Sequence, residues 1–351
     1  MKSLGSVVGV GMRTGIGLDA MSTALLLRTG VPGIRPSPLA GPDGDRVTMA
    51  FDATLDPMLI GEERAARLGG HALRDLARVL GPKARSLRTR FAVAFPEPRP
   101  EQTRGEAGQL LATAFRSLMQ ETFGAPPVEL SMKGAAGLAA VLPAALAELA
   151  AGTVDAVVAG GLHSDYDPAV IRSLAASGRL FSAAQPDAVL PGEAAAFLLI
   201  MRDDVARTHG LTPMARIHGI GADVRRVSTT KGAPGDGQSF DSTALANSIR
   251  AATDALEDGM SVGWTMTSLG LEHALVRELY SAVTRVHARL GPPLVIDSPA
   301  QRAGHLGAAA LALAVGTMAL GFRHGFAPAP LGLALAASDG GERAAILVGN
   351  P

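Results

Sequence analysis

The side chain with the clearest chemical setting in this sequence is His305. It follows a β-like run, Pro293-Leu-Val-Ile-Asp297, a short polar loop and Gly304, and it precedes an Ala/Gly/Leu run long enough for about four helical turns with no polar face. An imidazole at the entrance of a buried helix serves either as a polar residue closing the helix start or as a general base. Ser131, Ser164 beside His163, and Thr265 are hydroxyls that could act as nucleophiles, but the sequence places no acid or base with them in the manner of a nucleophile, base and orienter. His273 follows Glu272 on a helical stretch with no second ligand at metal spacing and reads as a surface residue. The chain has no cysteine, which removes disulfides, thiolate metal sites and cysteine nucleophiles in one step. Neither a cofactor nor a metal is expected.

The elements that position these residues follow from the apolar pattern. Ser6–Gly11 reads as a strand entering a glycine turn, and a helix from Asp19 to Arg28 takes Asp19 as its N-cap. Gly11, Gly15 and Gly17 match the cofactor-loop spacing of short-chain dehydrogenases. That match is a decoy, because those enzymes need a Tyr with a Lys four residues on, and Tyr166 and Tyr280 are followed at that distance by Val170 and Thr284. From Pro36 to Pro57 the chain reads as loop with a short strand near Val47–Phe51. A helix over Glu62–Leu80, a strand over Arg90–Phe95, a stop at Pro96-Glu-Pro-Arg-Pro100 and an amphipathic helix from about Arg104 to Thr122 come next. Val128–Met132 is strand-like, Gly134 opens a helix to about Ala151, and Ala156–Gly161 is again a strand. Ile217–Gly221 repeats the strand and Gly-x-Gly turn of Val7–Gly11, which predicts a duplicated unit with halves 1–210 and 211–351. Val227–Ser239 reads as an exposed loop, Thr243–Glu257 and Glu272–Leu290 as helices, and Ala334–Ala337 and Ala344–Gly349 as closing strands.

Composition limits the function classes. Apolar residues make up 47% and aromatics only 4%, so the core must be packed from small and branched side chains. The 32 basic and 32 acidic residues cancel, so no global field draws the chain to nucleic acid or to an anionic membrane. Gly5, Gly9 and Gly11 interrupt any signal-peptide core, and the apolar run after His305 is too short before Arg323 for a membrane span. A soluble cytoplasmic protein is expected.

Several of these segments resemble one family. Gly304-His305 with its Ala/Gly helix resembles the Gly-His-x-x-Gly-Ala-Ala-Gly segment of the β-ketoacyl-ACP synthases, in the thiolase superfamily. The order from Ser131 to Gly161 (strand, turn, buried helix, Gly-x-x-Asp, strand, Ala-Gly-Gly) resembles the nucleophile region of the same family. Val189-Leu-Pro-Gly-Glu-Ala-Ala195 resembles its Gly-Glu-Gly-Ala-Ala segment. The resemblance covers most of the chain, most strongly residues 131–161, 188–200 and 297–320. It implies an α/β, thiolase-like fold: two duplicated α/β halves stacked in alternating helix and sheet layers.

The resemblance also implies a Cys at a helix N-terminus, two His and a Lys, and here it fails position by position. Ala135, within one residue either way in Gly134-Ala-Ala136, stands at the nucleophile, Thr265 at the first His and Ala300 at the Lys; only His305 matches, as the second His, with the following Gly307 one residue early. Asp339 replaces the Phe that gates the acyl pocket. A buried, unpaired carboxylate there is costly, so the tunnel is expected to be closed or wet. The expected protein is a degenerate, catalytically silent ketosynthase-like chain whose remnant site is Ala135, Thr265, Ala300, His305 and Asp339. It would act as an accessory or partner subunit, as a homodimer or a heterodimer with a ketosynthase, with the edge at Val154–Ala159 and an acyl carrier protein as a further partner. The alternatives are a chain-length-factor-like subunit and an acyltransferase or decarboxylase that needs no Cys. Pro96-Glu-Pro-Arg-Pro100 and the Val189 segment also resemble ketosynthase-like proteins that accompany bacterial type VI secretion.

Overall fold

The computed structural model describes residues 1–98, 108–225 and 241–351. In chain order the elements are β1 (Gly5–Thr14), α1 (Ala20–Thr29), β2 (Ile34–Ala40), β3 (Arg46–Ala50), α2 (Gly61–Leu80), β4 (Thr89–Ala94), α3 (Gln109–Phe123), β5 (Val128–Ser131), α4 (Leu138–Ala150), β6 (Ala156–Ser164), α5 (Pro168–Ala176), β7 (Glu193–Met201) and α6 (Asp203–Thr208). There follow β8 (Ala215–Val224), α7 (Thr243–Ala252), β9 (Val262–Thr267), α8 (His273–Arg285), β10 (Leu290–Asp297), α9 (Ala300–Ala303), α10 (Ala310–His324), β11 (Leu331–Ala337) and β12 (Glu342–Gly349). Short 3₁₀ turns at Gly134–Ala136 and Gly307–Ala309 lead into α4 and α10. The expected loop at 227–239, residues 99–100 of the proline-rich stop and the start of the helix from about Arg104 lie outside the described residues.

Ten strands form one sheet in the order β10-β9-β11-β12-β8-β1-β7-β6-β4-β5. Its first five by sequence, β5-β4-β6-β7-β1, repeat as β10-β9-β11-β12-β8 with the same sense: three parallel outer strands, then two antiparallel inner ones. The two units meet along a three-residue antiparallel seam, Gly5 to Val7 of β1 against Ile217 to Ala215 of β8.

Side-chain alternation sorts the layers. Along β7, Ala194, Ala196, Leu198 and Ile200 face one core and Ala195, Phe197, Leu199 and Met201 the other. The central core holds α4 and α10 between both strand units, α2 and α3 cover the outer face of the first, and α7 and α8 cover that of the second. Five alternating layers result. Every residue from Ala310 to Gly321 of α10 is buried, because strands of both units pack on it, and small side chains allow that approach. The expected glycine turns are strand instead, with Gly11 inside β1 and Gly219 and Gly221 inside β8, and a Cβ at Gly11 would stand 2.1 Å from the Ala72 carbonyl of α2. Asp19 caps α1 as expected, accepting from the Ser22 N–H.

Two further expectations are corrected. Ala156–Ala159 is no edge, since β6 lies between β4 and β7 with every side chain buried. A continuous apolar run marks a strand covered on both faces. The free edges are β5 and β10, which carry the partly exposed Leu130 and Val295. Residues 36–40, the start of the stretch read as loop, belong to β2, which among the described residues pairs with β3 alone and so tolerates Pro36 and Pro38.

Behind the future site lies a buried ion network. Arg64 grips Glu193 with two hydrogen bonds of 2.7 and 2.9 Å, and Glu193 also accepts from Ser164 Oγ at 2.9 Å and the Asp52 N–H at 2.7 Å. Both charged side chains are almost wholly buried, so removing either partner costs roughly 3–5 kcal/mol.

Candidate functional site

The site forms where the C-terminal end of β6, the loop before β7 and the entrance to α10 converge. His163 is the last but one residue of β6 and Asp165 comes just past its end, two residues on, so the strand's period of two carries both to one side. The loop before β7 fixes them, with the Gly192 N–H donating to Asp165 Oδ2 at 3.1 Å and the Asp165 N–H donating to the Gly192 carbonyl at 3.0 Å. The same loop holds His305, whose N–H donates to the Leu190 carbonyl at 2.8 Å. Gly307, with φ of +44°, lets the helix entrance press on His163, for a Cβ there would lie 2.3 Å from the imidazole.

Asp165 bridges two imidazoles. His163 Nε2 lies 2.9 Å from Oδ1 and His305 Nδ1 lies 3.0 Å from Oδ2, with the rings edge to face at 4.5 Å. Burial alone would raise the Asp165 pKa, but the two histidines outweigh it and hold the carboxyl well below its usual range. An ionised carboxylate only accepts, so both facing ring nitrogens carry protons. Burial acts to lower the His305 pKa, and the Asp165 charge and hydrogen bond more than offset it, leaving it raised. His305 alone of the three is accessible, with 41% of its side chain exposed against 10% for His163 and 4% for Asp165.

Two imidazoles and a carboxylate within 4.8 Å of one another also form a candidate divalent-metal set. A metal on His163 Nε2 would move that proton to Nδ1, which needs an acceptor. Nδ1 is buried without a partner, so the set suits a hydrogen-bonded bridge and fits a metal poorly.

Two cavities meet at His305. The inner one, about 40 Å³, is lined by Ala135, Ser268, Ala300, His305 and Asp339 among others. The outer one, about 750 Å³, reaches Glu97, Lys133, His163, Asp165, His305 and Asp339. Four of the five expected remnant positions therefore share one small cavity. Thr265 does not: it is buried within β9, and Ser268 just beyond that strand lines the cavity instead. Ala135 sits in the 3₁₀ turn before α4, where the next N–H, that of Ala136, donates to Ser338 Oγ at 2.9 Å. Ser131 is buried with an unpartnered hydroxyl, and His273 is exposed at the start of α8.

Asp339 is paired, so the cost of a buried, unpaired carboxylate does not arise at this position. Its side chain is 67% exposed and forms a two-bond pair with Arg179 at 2.8 and 3.0 Å. Arg179 also holds Glu272 through bonds of 2.8 and 3.0 Å, tying the segment after α5 to the start of α8 and the β11–β12 turn. Surrounding protein partly desolvates the Asp339 carboxyl, which acts to raise its pKa, and Arg179 outweighs that, so the carboxyl stays below its usual range. Glu97 accepts from the Asp339 and Gly340 N–H groups at 3.0 and 2.7 Å, yet burial leaves its pKa raised. Sequence reasoning missed Asp165, Ser268 and Arg179. Only the first left a signal, the His163-x-Asp165 alternation at a strand end.

No family model and no curated protein matches the sequence. Solved structures do match in fold. A type II PKS acyl-carrier protein in complex with its ketosynthase bound to the hexaketide (AntDE:AntF) aligns with a TM-score of 0.80 and 16% identity over 99% of this chain and 99% of that chain. The ishigamide ketosynthase/chain length factor aligns at 0.78 and 18%, again over 99% of both. The ketosynthase from module 6 of the bacillaene synthase from Bacillus subtilis 168 aligns at 0.72 and 16%, over 99% of this chain and 72% of that one. The chain thus has the thiolase-like fold of the ketosynthases, built without a cysteine.

Proposed function

We propose that this chain is a ketosynthase-fold subunit that does not condense acyl groups and that works through a protein partner. The observation that carries this reading is Ala135. In a fold whose condensing members need a thiolate at this helix entrance, the turn before α4 offers a methyl group facing a cavity of about 40 Å³. A methyl forms no acyl bond, so the covalent step has no site. A water needs about 10–15 Å³, so the cavity beside Ala135 has room for solvent.

The likeness to a ketosynthase/chain length factor supports pairing with an intact ketosynthase, and the likeness to a ketosynthase bound by its acyl-carrier protein supports a carrier protein as a further partner. In such a pair this chain supplies walls and surface while its partner supplies the nucleophile. A secretion-associated accessory role is the other form of the proposal, and gene neighbourhood separates the two: carrier-protein and ketosynthase genes favour the first, secretion genes the second. Among the described residues no helix is long and apolar enough to cross a membrane. Sedimentation velocity of the pure chain, alone and mixed with any ketosynthase found in its gene neighbourhood, tests the partner. A dimer of either kind is expected; a stable monomer at micromolar concentration that captures no ketosynthase would overturn it.

A further inference from the structure

His305 stands between a chamber of water dimensions and a pocket of ligand dimensions. The inner cavity of about 40 Å³ has room for solvent, and its lining brings Arg179, Glu272 and Asp339 beside His305. A water there would find polar partners within the same lining. Behind His305, Asp165 accepts from Nδ1 at 3.0 Å and is itself fixed by His163 and the Gly192 N–H. Nε2 is left as the free nitrogen of an imidazole whose side chain is 41% exposed to the pocket. This is the base-and-orienter half of a hydrolytic triad, with space where the nucleophile would stand.

From this arrangement we infer that His305 is a general base for the hydrolysis of short acyl thioesters and esters by water held in the inner cavity, with Asp165 as its positioning residue. The acyl group enters from the outer pocket of about 750 Å³, which reaches His305 and whose lining mixes Glu97, Lys133 and Glu342 with Leu111, Met132 and Leu174. Water gives one proton to His305 Nε2 as its oxygen bonds to the carbonyl carbon. Collapse of the tetrahedral adduct breaks the carbon–sulfur bond, and the proton passes from Nε2 to the departing thiolate. A carboxylic acid and a thiol leave, with no redox change. The inference does not need the partner reading, and the absence of a nucleophile is what leaves room for the water.

The test uses the pure full chain with the acetyl and butyryl thioesters of N-acetylcysteamine, following thiol release from pH 5.5 to 9. Release above the buffer rate is expected, and His305→Gln should lower it by about a hundredfold or more. Because Gln replaces an accessible side chain, circular dichroism should show the variant folded. Asp165→Asn should slow release and move the rising limb of the pH profile to lower pH, since losing the carboxylate charge makes the imidazole easier to deprotonate; a purely structural role would leave the profile in place. Ala135→Val, which narrows the water chamber without touching the dyad, should lower kcat and leave KM unchanged. Release at the buffer rate, full activity in His305→Gln, or an acyl adduct on Ser268 in the intact mass would each overturn the inference. Condensed product or carbon dioxide after a malonyl thioester is added to the same reactions would instead contradict the non-condensing reading, so the two fail separately.

Discussion

Asp165 sets the electrostatics of the site, and its influence can be read through His305. In the unfolded chain an imidazole titrates near 6.5, and in the folded chain His305 titrates higher because the Asp165 carboxylate favours its charged form. A raised folded pKa contributes stability that is fully present below the unfolded value and is lost as pH rises through the folded one. His305→Gln should therefore lower the melting temperature more at pH 5.5 than at pH 9, as followed by circular dichroism. An equal deficit at both would show that Asp165 and His305 do not interact as described. Of the site's residues, His305 was legible in the sequence because it stands alone between a strand, a glycine and a buried helix. Arg179 was not, because its carboxylate partners Glu272 and Asp339 come from distant stretches of chain, and pairs of that kind leave no local pattern.

At the scale of elements, strand order decides which surface meets a partner. Apolar runs located β4 and β6 well, and the capping Asp19 located α1, because burial on one or two faces writes itself into local sequence. Position within the sheet does not. The buried run at Ala156–Ala159 looked like an interface and proved to be interior, whereas the short β5, with Leu130 and Glu129 partly exposed, is the open edge of the first unit. An unpaired edge invites a second chain, and a lysine on such an edge discourages it. Leu130→Lys should weaken dimerisation through this edge by sedimentation while leaving the far-ultraviolet spectrum unchanged. An unaltered dimer would move the interface elsewhere.

Across the whole molecule, the repeated strand-and-glycine openings at Val7–Gly11 and Ile217–Gly221 announced the duplication, and both fall on the strands that form the seam, β1 and β8. What the sequence did not carry was the cavity system, because enclosed volume depends on how two units close over α4 and α10 and not on any one stretch. The repeated architecture places the α4 and α10 entrances together, and there Ala135, Ala300 and His305 share a chamber of about 40 Å³. The central claim is that a fold used for condensation is here without a condensing centre. The most direct measurement is to incubate the pure chain, and its Ala135→Cys variant, with acyl- and malonyl-thioesters and to quantify condensed product and carbon dioxide. Neither should exceed background in the native chain, and the variant should gain at most a slowly acylated thiol, because Thr265 and Ala300 supply neither imidazole nor amine. Condensed product or carbon dioxide from the native chain would contradict the account.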